Sequence, residues 1–377
     1  MCISPNRIPN PYKGFNGKYA FMHDCVSTYI NVPCGHCSEC VRIKQLGIVQ
    51  RASLESQSGW PFYVTVTYNP ESLPIHICSD GVKIRYAAMS DATNMFKRLR
   101  NDNALTRPFR YFAVSELGSK RARPHFHFII WLQKFSTDSV YTPYQLEPIV
   151  FDTILKYWQR NYGSRRSPIY RPLLTYKVRY IAGKRKSTYD CHYIQPSTLD
   201  GTTLDVSFYV TKYLLKPSKH SDRLQSALKL NLSGEEYREV WSLVRPRWFS
   251  SLNFGYGVYG LQPKRLSRSE RLEILSKTPA FDSVKSSIAR SRQSDFPKFF
   301  DLETGKSYPL SRYWRTFGNL YTVEDAIFFH YKNPNWREDN VSFEERDMSE
   351  LLYSEEKFSK QRSIIDSHIF NTDLLFD

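Results

Sequence analysis

Phe109-Arg110-Tyr111-Phe112-Ala113-Val114-Ser115-Glu116, then eight residues, then His125-Phe126-His127-Phe128-Ile129-Ile130-Trp131-Leu132: these two stretches decide the fold of this 377-residue chain. Both are rich in aromatic and β-branched residues, the composition of strands. The connection, residues 117–124, is long for a tight hairpin yet short enough to make antiparallel pairing the default. On a strand, residues i and i+2 share a face. His125 and His127 therefore project together, while the apolar residues between and after them turn into a core. If the two strands pair as a hairpin, the Glu116 carboxylate lies beside both imidazoles.

Working outward, residues 62–68 (Phe-Tyr-Val-Thr-Val-Thr-Tyr) read as another strand, stopped by Asn69-Pro70. A helix is expected before it, from about 41 to 58, ended by Gly59-Trp60-Pro61. Ser90 and Asp91 look like a second helix start, with Met95, Phe96 and Leu99 inward and Lys97, Arg98 and Arg100 outward. Further helices are expected near 150–161 and over 208–216, the latter ended by Pro217. Between them lies a basic segment, residues 165–186. Residues 219–314 read as helices interleaved with turns. Paired strands with intervening helices make the class α+β with a mainly antiparallel sheet.

Charge is concentrated. The chain carries 53 Lys plus Arg against 37 Asp plus Glu, a net +16. Residues 322–377 hold 13 acidic and 6 basic side chains, net −7, so residues 1–321 carry +23. Such a field attracts polyanions, nucleic acid first among them, although solubility or an anionic membrane surface would also explain it. The 41% hydrophobic content excludes wholesale disorder. No run of 18 apolar residues exists, which excludes a membrane span. The N-terminus, Met1-Cys2-Ile3-Ser4-Pro5-Asn6-Arg7, lacks the apolar stretch of a secretion signal.

Three groups of residues carry candidate chemistry. Two imidazoles and the Glu116 carboxylate, with coordination positions left open, suit Mg²⁺ or Mn²⁺ acting as Lewis acid on a phosphate. Taken alone, His125 and His127 could equally be two histidines capping a half-buried strand. On the expected helix, Tyr209 and Tyr213 stand one turn apart with Lys212 beside Tyr209. A phenol is a weak nucleophile unless a metal, base or cation assists it, and in a chain with 26 tyrosines such a pair is also ordinary packing. The third group is Cys34, Cys37 and Cys40, with Cys2, Cys25 or His36 as a fourth ligand. In a chain without a secretion signal this spacing favours structural zinc over disulfides, with buried thiols or an iron–sulfur cluster as alternatives. Basic residues Lys120, Arg121 and Arg123 lead into the histidine pair. Tyr111, Phe112, Tyr170, Tyr176 and Tyr180 offer surfaces on which unpaired bases can stack.

Five segments in order resemble the HUH endonuclease superfamily and, more narrowly, the replication initiator proteins of microviruses, the small single-stranded DNA phages, best of all their gokushovirus-like branch. They are Cys2 with Pro33-Cys34-Gly35-x-Cys37-x-x-Cys40, the strand 62–68, Ser115-Glu116-Leu117-Gly118 with Arg123-Pro124-His125-Phe126-His127, Tyr209-x-x-Lys212-Tyr213, and Tyr308-Pro309-Leu310-Ser311-Arg312-Tyr313-Trp314. Ser115 and Leu117 depart from the usual Gly and Tyr around the acidic residue, and the last segment matches loosely. The resemblance implies an HUH-type central antiparallel sheet flanked by helices, with a Cys-rich N-terminal segment and a helical C-terminal region. It also implies a metal-dependent, site-specific DNA endonuclease that rejoins strands. His125, His127 and Glu116 would hold the metal, and Tyr209 and Tyr213 would attack in turn, each forming a 5′-phosphotyrosine bond. Lys212 is assigned to phosphate or phenolate stabilisation.

The expected organisation is a Cys-rich segment and first helix (1–58), an endonuclease core (59–217), a mostly helical accessory region (218–321) and an acidic tail (322–377). The expected partners are single-stranded DNA, a phage replication origin and host replication machinery, in the host bacterial cytoplasm. Two rivals stay open: a relaxase or transposase of the same superfamily, and a non-catalytic, zinc-stabilised DNA-binding protein whose tyrosines only stack on bases.

Overall fold

The structure is a computed structural model that describes residues 5–195 and 219–291 with short interruptions, together with 298–300 and 307–309. The expected helix 208–216, with Tyr209, Lys212 and Tyr213, lies outside the described residues. So do Cys2, Cys37, Lys120, Arg121 and the acidic tail.

In chain order the elements begin with β1 (Asn6–Pro9), β2 (Tyr29–Val32), α1 (Ser38–Ser58), β3 (Gly59–Val66), β4 (Ile75–Ile77), β5 (Lys83–Arg85) and α2 (Met89–Asn101). Then come β6 (Phe109–Leu117), β7 (Pro124–Gln133), α3 (Thr142–Tyr157), β8 (Gln159–Asn161), β9 (Tyr170–Pro172), β10 (Val178–Ile181), β11 (Lys184–Ser187) and β12 (Asp190–Tyr193). The last are α4 (Lys219–Asn231), α5 (Gly234–Val244), β13 (Arg247–Ser250), α6 (Pro279–Ser291), β14 (Lys298–Phe300) and β15 (Ser307–Pro309).

Two compact units divide the chain, one drawn from Met1–Arg51 with Leu272–Ser367 and one from Ala52–Arg271. In the first, β1 pairs with β2 and β14 with β15, both antiparallel. The second holds a five-stranded antiparallel sheet in the order β12-β3-β7-β6-β13. The class is therefore α+β, as the strand pattern predicts.

β7 is the central strand, and this explains its unbroken apolar run. Phe126, Phe128, Ile130 and Leu132 face one side, with Phe62, Val64 and Val66 of β3 and Ala113 of β6. Over this face lie Met95, Phe96 and Leu99 from α2 and Leu146, Val150 and Ile154 from α3, all buried. The Phe96 ring stacks on Tyr111 at 3.7 Å between centroids. Each strand thus alternates between a dry face and a second face that carries the polar residues.

The second face is closed at one end by the last two turns of α1. Ser56 Oγ accepts from Trp131 Nε1 at 2.9 Å, and the fully buried Glu55 accepts from the Gly255 amide at 2.6 Å and the Gly257 amide at 3.3 Å. Phe254, from the same loop, packs on Trp131 and Phe112. Burial pushes the Glu55 carboxyl above its ordinary range, against the lowering pull of Arg110 and the two amides.

Several boundaries differ from expectation. β3 already begins at Gly59, because Pro61 can lack a donor and still use its carbonyl, which accepts from the Ile194 amide at 2.9 Å. The helix expected over 150–161 runs instead from Thr142 to Tyr157, with Pro143 in its first turn, where a missing N–H costs nothing. The residues assigned to its end, Gln159–Asn161, are β8. β13 lies in a region expected to hold helices and turns.

One polar knot lends itself to test. The Asp138 carboxylate accepts from both Arg107 Nη atoms (2.7 and 2.9 Å), Trp60 Nε1 (2.8 Å) and the Phe135 amide (3.0 Å). The Arg107 hydrogen bonds hold it well below the usual carboxylate range, outweighing its desolvation. A depressed folded-state pKa gives stability that is present above the unfolded value, near 3.9, and lost as pH falls through the lower folded value. Asp138→Asn should therefore cost about 2 kcal/mol at pH 7 and flatten the fall of the urea midpoint below about pH 4. Urea titrations from pH 7 down to 3 measure both effects.

Candidate metal centre

The register of three strands assembles the site. Glu116 of β6 pairs directly with His125 of β7, and Val114 with His127. On the other side of β7, Thr65 of β3 pairs with His127. His125, His127, Glu116, Thr65 and Tyr63 consequently share the second face of the sheet.

Their polar atoms converge. His125 Nε2 lies 2.9 Å from Glu116 Oε1 and 2.9 Å from His127 Nε2, and His127 Nε2 lies 3.1 Å from Glu116 Oε1. His125 and Glu116 are half-buried and His127 is buried. Among the described residues this is the group of three His, Cys, Asp or Glu side chains able to hold one ion.

The outer nitrogens determine what the inner ones can do. His125 Nδ1 is 3.0 Å from the Arg123 carbonyl oxygen, which can only accept, so Nδ1 carries the hydrogen. In a neutral ring that leaves Nε2 as a lone pair. His127 Nδ1 is 2.6 Å from the Tyr63 hydroxyl and 3.0 Å from the Thr65 hydroxyl. With its hydrogen on Nδ1, His127 likewise turns a lone pair inward. Two imidazole lone pairs and a carboxylate oxygen at about 3 Å from one another repel unless a positive charge sits among them. Protons can fill that role only by making His125 an imidazolium. A divalent cation satisfies all three donors with both rings neutral, so the residues fit a metal.

Glu116 is ionised in either case. Burial alone would raise its carboxyl, yet the hydrogen bonds and charge of His125 and His127 prevail and lower it to about 2.

The two hydroxyls on His127 are a part of the site that sequence reasoning missed. The signal was there: Tyr63, Thr65 and Thr67 alternate with Phe62, Val64 and Val66. The Tyr63 ring also lies nearly parallel to the His127 imidazole, 5.5 Å away and tilted by 18°.

Other expected residues are placed as follows. Arg123 is not a free basic arm: its guanidinium donates to the Tyr68 carbonyl. Tyr111 and Phe112 are buried in the sheet, which removes them from the surface expected for base stacking, whereas Tyr170 and Tyr180 are exposed. Of the cysteine group, Cys34 is half-buried and Cys40 buried. Tyr209, Lys212 and Tyr213 lie outside the described residues.

A strand-borne pair of histidines with a carboxylate from the neighbouring antiparallel strand defines a class of site suited to metal-assisted phosphate chemistry. Residues 61–186, about a third of the chain, match the family model of the replication-associated protein ORF2. The match contains the whole triad and is consistent with a replication initiator of small single-stranded DNA viruses and phages. No curated protein and no solved structure matches the chain.

Tyr63→Phe combined with Thr65→Val removes both bonds to His127 Nδ1 and keeps the strand's shape. Mn²⁺ affinity, read by paramagnetic resonance titration, should fall about 10–100-fold. His127→Ala should abolish the site, and equal affinity in the wild-type and double-variant proteins would show that the hydroxyls do not orient the ring.

Proposed function

We propose that this protein is an HUH-type endonuclease that starts rolling-circle replication of a small phage genome by nicking, and later rejoining, single-stranded or melted origin DNA. The observation that carries this reading is the converging triad of Glu116, His125 and His127 inside the segment that matches the replication-associated family. The order of the antiparallel sheet, with the two histidines on its central strand, supports the HUH architecture.

His125, His127 and Glu116 hold the ion. The edges of their triangle, 2.9, 2.9 and 3.1 Å, lie close to the ~3.0 Å separating adjacent ligands of an octahedral ion bound at ~2.1 Å. A tetrahedral zinc site would spread them to ~3.4 Å. This supports Mg²⁺ or Mn²⁺. Bound there, the ion supplies Lewis-acid polarisation of the scissile phosphate.

The remaining work belongs to the chain. Tyr209 or Tyr213 attacks phosphorus, forming a tyrosyl O–P bond as the P–O3′ bond breaks. The phenolic proton is balanced by the one taken up at O3′. The products are a 5′-phosphotyrosine and a free 3′-OH that primes synthesis. When the origin is regenerated, the other tyrosine repeats the step, and the released 3′-OH attacks the first phosphotyrosine to close the circle. Bond energy is conserved in the covalent link, so no nucleotide hydrolysis is needed. Lys212 steadies the phenolate or the phosphate. Cys2, Cys34, Cys37 and Cys40 hold a structural zinc in the N-terminal segment.

A single-stranded origin oligonucleotide labelled at its 3′ end keeps its label on the part that becomes attached to tyrosine. In Mg²⁺ or Mn²⁺ it should yield a labelled protein–DNA adduct. The adduct should vanish in Tyr209→Phe/Tyr213→Phe, and its rate should fall on the order of 10³-fold in His127→Ala. Binding without any adduct would leave a DNA-binding protein and remove the endonuclease.

A further inference from the structure

From Trp158 to Tyr189 the chain carries nine Lys or Arg and no Asp or Glu. Its first part is the β8–β9 hairpin with the loop 162–169. The loop is internally built: Asn161 Oδ1 accepts from the Gly163 and Ile169 amides, both at 2.9 Å, and Ser164 Oγ from the Ser167 amide at 2.9 Å. Gly163 is required there, since a Cβ would stand 2.2 Å from the Ser167 carbonyl oxygen. The loop thus presents its side chains without having to order them on binding.

Those side chains are aromatic and basic. Tyr162 is 48% and Tyr170 45% exposed. Each has a guanidinium near its ring: Arg171 at 5.3 Å from Tyr162, and Arg98 at 4.3 Å from Tyr170. Arg98 is fixed by the Tyr157 and Gln159 carbonyls, at 2.6 and 3.0 Å. Arg160 is held by two bonds to the buried Asp91. Arg165 and Arg166, on the loop, are exposed.

The hairpin is fastened to the end of the sheet that bears the triad. Trp158 Nε1 donates to the Thr67 carbonyl (2.7 Å), and the Asn69 amide donates to the Leu173 carbonyl (2.6 Å). Thr67 Oγ1 in turn donates to the carbonyl of Pro124, the residue before His125. Both ends of the hairpin therefore hang from residues 67–69, beside the metal ligands.

We propose that the β8–β9 hairpin is a docking surface for the single strand that flanks the scissile phosphate, with Tyr162 and Tyr170 stacking on unpaired bases and Arg165, Arg166 and Arg171 taking phosphates. The proposal rests on the endonuclease reading for its substrate. Open rings beside arginines select a single strand over a duplex, whose bases are already stacked and whose phosphates alone are available.

The test is fluorescence anisotropy with the full chain, using a mixed-sequence single-stranded DNA oligonucleotide, the same sequence as duplex, and its RNA counterpart. Tyr162→Ala/Tyr170→Ala should weaken single-strand binding at least about tenfold and leave duplex binding unchanged, and Tyr162→Phe/Tyr170→Phe should restore it. Arg165→Ala/Arg166→Ala should lower the salt slope of single-strand binding by about 1.4. Mn²⁺ affinity unchanged in every variant shows that the fold and triad are intact. Wild-type affinity in both alanine variants, an equal loss on duplex, or a ring-dependent preference for RNA overturns the proposal. A wild-type protein that binds through these residues but forms no adduct overturns the endonuclease reading and leaves the docking surface standing. An adduct in a protein whose binding ignores the hairpin does the reverse.

Discussion

The centre depends on the pairing of β6 with β7 in a register that sets Glu116 opposite His125. A slip of one residue would send every side chain of β7 to the other face. Phe126, Phe128, Ile130 and Leu132 would leave the core, forfeiting roughly 2 kcal/mol each, a sum comparable to the whole stability of a domain. His125 and His127 would enter the dry layer under α2 and α3. The hydrophobic alternation of the central strand therefore enforces the placement of the metal ligands, and packing and chemistry cannot vary independently. The connection adds a second lock. The Arg123 carbonyl accepts from the Gly118 amide at 2.9 Å and also faces His125 Nδ1. One backbone oxygen thus closes the turn between the strands and fixes the tautomer of a ligand.

The two faces of the sheet divide the work. One is fully apolar and supplies cohesion. The other grades from closed to polar along the strands: Arg110, Phe112 and Trp131 lie under the end of α1 and the 254–259 loop, and the triad stands at the far end. Glu55 makes that closure costly to disturb, because a buried carboxyl bound to two backbone amides has no solvent to fall back on. The polar end can then carry converging lone pairs, an unfavourable arrangement in itself, because the rest of the sheet over-determines it.

Much of this was legible in the sequence, for identifiable reasons. Alternation at His125-Phe126-His127-Phe128 has a period of two, so a shared face for the histidines follows once a strand is assumed. Glu116 was legible because a short connection leaves few registers. The Tyr63 and Thr65 hydroxyls were not, since their bonds to His127 require knowing that β3, distant in sequence, borders β7 rather than β6. The position of α3 was misread because Pro143 and Pro148 look like breakers, whereas a proline in a first turn is tolerated and the apolar face of the helix is set by Leu146, Val150 and Ile154. β13 escaped notice because four residues, Arg247-Trp248-Phe249-Ser250, form a strand only where the edge of β6 stands ready to pair with them.

Charge completes the account of how such a site would work. A divalent cation held by two neutral imidazoles and one carboxylate keeps a net charge of about +1, enough to draw a phosphate and leave coordination positions for it. Further acidic ligands would quench that attraction. The acid-free run from 158 to 189 beside the triad extends the same logic outward: it raises the local concentration of a polyanion without competing for the ion. The suspension of the hairpin from residues 67–69 then matters more than its charge alone, because a strand gripped there is held in fixed relation to His125. Affinity for the backbone would thereby be converted into position at the metal, which is the part of catalysis that a surface merely rich in arginine cannot supply.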